Sequence, residues 1–121
     1  MKEADILNFV RASIGSVSAL EVLVLVGGWP GRAWQLDELV RELRSSPAAV
    51  AGATRRLEHA GLVVNDGGHG CRYQPASPEL DHIGELVRKI YMAKPTTVIG
   101  AIFESADDKL RAFADAFKFK G

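Results

Sequence analysis

Cysteine is almost absent from this sequence: Cys71 is the single one among 121 residues. That excludes a disulfide framework within the chain and a cysteine-rich zinc site, so an apolar core must hold the fold. Neither sign of charge is in excess, because 15 Lys and Arg residues are matched by 15 Asp and Glu. The balance excludes the global positive field of a nonspecific nucleic-acid binder and leaves any such contact to local charge. Long hydrophobic runs are also missing. Val22 to Val26 is stopped by Gly27, Gly28 and Pro30, far short of the roughly 20 apolar residues of a membrane span. With Glu3 and Asp5 at its start and no apolar stretch leading to a small-residue cleavage site, the N-terminus does not read as a signal peptide. The expectation is a cytoplasmic protein with no membrane partner.

What is present is ordinary for a folded domain: 47% hydrophobic and 25% charged residues. The length fits one domain with a modest core, and neither an internal repeat nor a low-complexity tract interrupts it. Ile6, Phe9, Val10 and Ile14 follow a helical stripe, which predicts a short amphipathic helix in residues 1–17. Ser18 and Glu21 have capping-box spacing, with Val17 and Val22 at staple positions. Val22 to Val26 is β-branched enough to be a buried strand, but the cap upstream favours a helix. After the Gly27–Gly31 break, Ala33 to Gln35 reads as a short extended piece.

Leu36, Leu39, Val40 and Leu43 recur at i, i+3, i+4, i+7 with charged residues opposite, predicting an amphipathic helix. Ser46 followed by Pro47 is an N-cap with proline at the first helical position, and Gly61 is the matching C-terminal glycine. Two β-prone runs, Leu62 to Val64 and Cys71 to Gln74, enclose a glycine-rich turn and predict a hairpin. Pro75 and Pro78 mark a boundary. Leu80, Ile83, Val87, Ile90 and Tyr91 predict a fourth helix, Pro95 opens another through Phe103, and Ser105 with Asp108 caps a last one carrying Leu110, Phe113, Ala114 and Phe117. The fold class expected is mainly α with a small β-hairpin, arranged as N-terminal helix (1–17), a core of helices and hairpin (18–75) and C-terminal helical extension (79–119).

The segment Leu36-Asp37-Glu38-Leu39-Val40, the Ser45-Ser46 turn, Val50 and Arg56-Leu57-Glu58-His59-Ala60-Gly61-Leu62-Val63 resemble the winged helix-turn-helix transcription regulators, broadly the MarR-like group, over roughly residues 18–75. The resemblance implies a supporting helix at 36–44, a recognition helix at 47–60 and a wing at 62–74. It further implies a two-fold dimer on double-stranded DNA with the recognition helix in the major groove. At the wing tip the chain departs from the pattern: an Asp followed by Arg is common there, whereas Asp66 is followed by Gly67, Gly68 and His69, with Arg72 further on.

Projected at about 100° per residue, Val50, Ala53, Thr54 and Leu57 face the core. Ala48, Gly52, Arg55 and His59 face away, with Ala51 and Arg56 at the margins. The candidate DNA contacts are therefore Arg44, Ser45, Ser46, Ala48, Gly52, Arg55, Arg56 and Arg72: the arginines for guanine edges or phosphates, the serines and helix-start amides for phosphates, the small residues for close approach. Residues 32–74 carry six arginines against five carboxylates, a slender positive balance. Dimerisation would double the contacts, and Phe9, Val10, Leu110, Phe113 and Phe117 are the candidate dimer surface. The alternative is a protein-interaction module that keeps the scaffold without DNA binding, docking through the Ala48 to Gly52 stripe or the C-terminal apolar helix.

Other chemistry finds no support. Cys71 has no base held by a third group, and His59, His69 and His82 lack zinc spacing. Asp37 with Glu38, and Asp107 with Asp108, sit in helix first turns where carboxylates complement the dipole. The glycine clusters at Gly27 and Gly67 have neither a phosphate-loop lysine nor a dinucleotide fingerprint. Trp29 and Trp34 read as core or wing-packing residues. No enzyme activity, metal or cofactor is expected.

Overall fold

A computed structural model describes residues 1–67 and 70–104. Helix α1 (Glu3–Phe9) widens into a π-helical turn, Val10–Ile14, and stops at Gly15 with φ 69°. Ile6, Val10 and Ile14 are all buried. They are four residues apart, and a wide turn closed by Gly15 N–H on the Val10 carbonyl at 2.8 Å keeps that spacing on one line. Helix α2 (Val17–Gly27) follows, capped by Ser16, whose Oγ accepts from the Ala19 amide at 3.1 Å. The expected cap at Ser18 is thus two residues late, and Ser18 lies inside the helix. The helical reading of Val22 to Val26 holds, and Val22, Leu23 and Val26 are fully buried.

Strand β1 (Ala33–Trp34) leads into α3 (Leu36–Leu43), then α4 (Pro47–His59), β2 (Val63–Asn65) and β3 (Cys71–Tyr73). The extended piece before α3 joins the hairpin, giving a three-stranded antiparallel sheet in the order β1-β3-β2. The register sets Ala33 and Val64 against Arg72, and Trp34 and Asn65 against Cys71. Alternation then turns Trp34, Cys71, Val63 and Tyr73 to the core and leaves Arg72 on the outer face. Gly70 has φ 91°, and a Cβ there would collide with the Trp34 carbonyl, so glycine is what lets β1 and β3 close.

Helix α5 (Pro78–Ala93) starts at Ser77, whose Oγ accepts from the Leu80 amide at 3.2 Å. It is followed by a helical stretch, residues 95–104. The described residues are mostly helical with one small sheet. One hydrophobic cluster joins α1 and its π turn, α2, α4, the sheet and α5, including Ile6, Leu20, Leu57, Tyr73, Val87 and Ile102.

Three expectations change. Val10 is 0% exposed and Phe9 packs half-buried against the core, so the predicted dimer surface at this end is spent within the chain. A regular helix leaves a period-four stripe to drift, and the π turn instead holds it inward. Leu36, expected in the core stripe, is 43% exposed because it begins α3, ahead of the turn that packs inward. Trp34 is buried as expected, whereas Trp29, in the loop after α2, is 59% exposed. The cap at Ser105, the stripe of Leu110, Phe113, Ala114 and Phe117, and His69 lie outside the described residues.

Candidate nucleic-acid interface

Helices α3 and α4 are joined by a tight turn at Arg44 and Ser45. Arg44 caps α3 in the left-handed region at φ 51°, alone among the described non-glycine residues. A glycine would occupy that conformation at lower steric cost. Ser46 then caps α4, with Oγ accepting from the Ala49 amide at 3.1 Å, and Pro47 opens the helix. Capping occupies one acceptor position of the Ser46 oxygen. Its hydroxyl hydrogen can still be donated outward.

The α4 projection is realised: Val50, Ala53, Thr54 and Leu57 are buried, and Ala48, Arg55, Arg56 and His59 are exposed. Gly52 is half-exposed, and a Cβ built on it meets nothing within 4 Å. The open space means that no described segment of this chain makes glycine necessary there. Arg44, Arg55 and Arg56 form no ion pair with any described residue, unlike Arg32 and Arg72.

Arg72 departs from the expectation of a free wing cation. Its Nη2 lies 3.0 Å from Asp66 Oδ2, and its Nε donates to Gln74 Oε1 at 3.2 Å. The outward side of β3 places its guanidinium beside the turn that carries Asp66, so the wing's charge is compensated from within. Arg32 is also occupied: it bonds Glu38 at 3.1 Å and lies 3.5 Å over the Trp34 ring. Glu38 is held below the usual carboxylate range, first by the Gln35 backbone amide it accepts from and further by Arg32.

The wing is tied to α4 by Asn65. Its Nδ2 donates to the Thr54 carbonyl at 3.1 Å, and its backbone N–H donates to Glu58 Oε2 at 3.2 Å. Between them runs a groove of about 290 Å³, bounded by Gln35 and Leu36 at the start of α3, Ala51, Arg55 and Glu58 on α4, and Gly67 near the wing tip. Cys71 and Trp34 floor this groove. Burial pushes the Cys71 thiol up to about 11, with the Glu58 charge adding to the effect, so at neutral pH it is a protonated packing group rather than a nucleophile.

Sequence reasoning thus located the α4 stripe and the turn but missed three contributors: Asn65 as the wing anchor, Asp66 as the partner of Arg72, and Gln35 at the groove edge. Asn65 and Asp66 act through contacts with other elements and Gln35 through its place at a groove edge, none of which leaves a periodic signal in the sequence. Among the described residues there is no grouping of three His, Cys, Asp or Glu side chains that could hold a metal, and no single helix long and apolar enough to cross a membrane. Comparison with known proteins yields no matching family model, no matching curated protein and no matching solved structure.

Proposed function

We propose that the protein is a cytoplasmic, non-enzymatic winged-helix regulator that binds double-stranded DNA as a homodimer, with α4 in the major groove. The observation that carries this reading is the outward stripe of α4. Arg55 and Arg56 stand exposed and unpaired with any described carboxylate, beside small residues that permit close approach, on the helix into which the Arg44 turn leads. An arginine that has no internal partner keeps its full donor set for guanine edges or phosphates. Placing arginine at the left-handed cap, where glycine is the easier choice, supports a demand for charge at that turn.

The test is fluorescence anisotropy of the full chain against pools of genomic fragments at several salt concentrations. Binding should weaken steeply as salt rises, and Arg55→Ala with Arg56→Ala should abolish it. Absence of binding to every fragment at low salt would overturn the reading.

A second reading is favoured by the open space over Gly52 and by the wing charge being cancelled: the same stripe docking a helix of a protein partner. It predicts a stoichiometric partner in pull-downs, lost on Gly52→Glu in a folded variant, with no salt-dependent DNA binding.

A further inference from the structure

On the side of α4 away from the wing, a cleft of about 540 Å³ opens between the N-terminal π turn and the helix. Its walls are Ala12, Ser13, Arg55, Arg56, His59 and Ala60. It therefore gathers two guanidinium groups, an imidazole and a hydroxyl, with no carboxylate in its described lining. Arg56 lines one wall. Its guanidinium lies directly over Gly15, where a Cβ would occupy the same space. Gly15 also needs its left-handed φ of 69° to end the π turn, so one glycine both stops the helix and admits the cation. The carbonyl end of a helix is the favourable place for such a charge. The neighbouring Arg11 does not add to the cleft's free charge, being paired with Glu104 at 3.0 Å.

The opposite margin of α4 has the reverse character. Glu58 faces the wing there, and Arg72 beyond it is neutralised by Asp66 at 3.0 Å. A helix lying in a major groove about 12 Å wide has a phosphate strand on each side. The two strands would thus meet very different surfaces.

We propose that the Ser13, Arg56 and His59 cleft is a phosphate-binding site, and that it takes a backbone phosphate of the DNA strand on the side of α4 that faces the N-terminal π turn. The inference rests on the DNA reading and deepens it: the electrostatic foothold lies between the N-terminal helix and α4, not at the wing. Arg56 supplies planar paired donors, Ser13 a hydroxyl, and His59 a ring N–H in either protonation state. Because phosphate contacts set register without reading bases, this site would fix how α4 sits while Arg55 and the small residues meet the base edges.

Two titrations of the full-length chain decide the matter. One measures anisotropy on a short duplex of mixed sequence across a salt series, for the parent protein, Arg56→Gln/His59→Gln, His59→Gln alone and Arg72→Gln. The other follows backbone amide shifts during titration with pyrophosphate. The expected result is a salt slope shallower by about 1 for the double variant, as one phosphate contact is lost. Arg72→Gln should keep the parent slope, and pyrophosphate should shift the amides of Ser13, Gly15 and His59. Since Arg56→Gln removes packing over Gly15, Arg56→Lys serves as the charge-retaining control, and the exposed His59→Gln as the variant that leaves the core untouched. Duplex binding with the parent slope in the double variant overturns the cleft assignment and leaves the DNA reading standing. Pyrophosphate binding without duplex binding overturns the assignment to backbone DNA together with the DNA reading, and marks a small phosphorylated ligand as the occupant. Neither form of binding overturns both.

Discussion

Arg88 donates from Nη1 to the carbonyl of Gly27 at 2.7 Å, linking the middle of α5 to the last residue of α2 across 61 positions of sequence. Its Cζ also lies 5.4 Å from the Tyr73 ring centroid in β3. A single side chain on α5 therefore touches both α2 and the sheet. Gly27 is open enough to allow this: a Cβ there would sit 2.7 Å from Arg88 Cδ. Cation and carbonyl end of a helix attract each other, and the charge-assisted bond is shielded by the packing around it.

Arg88→Met should accordingly destabilise the fold by about 1.5–3 kcal/mol, the usual cost of losing a hydrogen bond to a charged group. Urea denaturation followed by circular dichroism would measure it. A loss below about 0.5 kcal/mol, the scatter of ordinary surface changes, would show that the contact is incidental.

Arg44→Gly separates fold from function at the turn. Relief of the left-handed strain at φ 51° offsets the greater freedom of glycine in the unfolded chain, so stability should hold or rise by up to about 1 kcal/mol. DNA binding should weaken in the same variant, because a cation is gone from the start of α4. Unchanged affinity in anisotropy titrations would remove Arg44 from the interface.

Asp66→Asn should release Arg72 from its ion pair at 3.0 Å. The pair is about one-third exposed on each side and contributes only about 0–1 kcal/mol to stability, so the melting temperature should barely move. If the wing lies near DNA, the freed guanidinium should tighten duplex binding several-fold at low salt and steepen the salt slope by about 1. No change in slope would place the wing away from the duplex.

Alkaline pH should destabilise the protein in a window set by two buried acids. Burial pushes Cys71 from 9.0 to about 11. Burial, with the hydrogen bond to Asp81 at 2.8 Å, pushes Tyr73 from 10.0 to about 12. Both folded values lie above the unfolded ones, so the unfolded chain gives up its protons first. Their contribution is complete below pH 9 and is lost as pH rises through about 11 and then about 12. Urea midpoints should fall between about pH 8 and about pH 10.5, and Cys71→Ala should flatten the first part of that fall. A parent midpoint that stays level across this range would contradict the burial of both groups.

Much of the fold is legible from local rules. The Ser46-Pro47 start and Gly61 end of α4 fall where cap chemistry puts them, because these signals act within one helical turn. The stripe on α4 follows from periodicity alone. The start of α2 shows where such rules fail: Ser16 and Ser18 are both competent caps, and only the position of Gly15 and the packing of Ala19 and Leu20 select the earlier one. The Gly27–Gly31 break predicts an extended piece at β1, but two residues are too few to show its partner, which is the free edge of β3.

The amino-acid order by itself determined which face of α4 is apolar and where α4 begins and ends, since these depend on neighbours within a turn or two, and its single cysteine determined that no disulfide staples the chain. Only the tertiary structure decided which cations remain available. Arg72 meets Asp66 and Arg88 meets Gly27, while Arg56 settles over Gly15 beside Ser13 and His59. Charge falls off over a few ångströms of space, not over positions in a chain, and folding alone sets those distances.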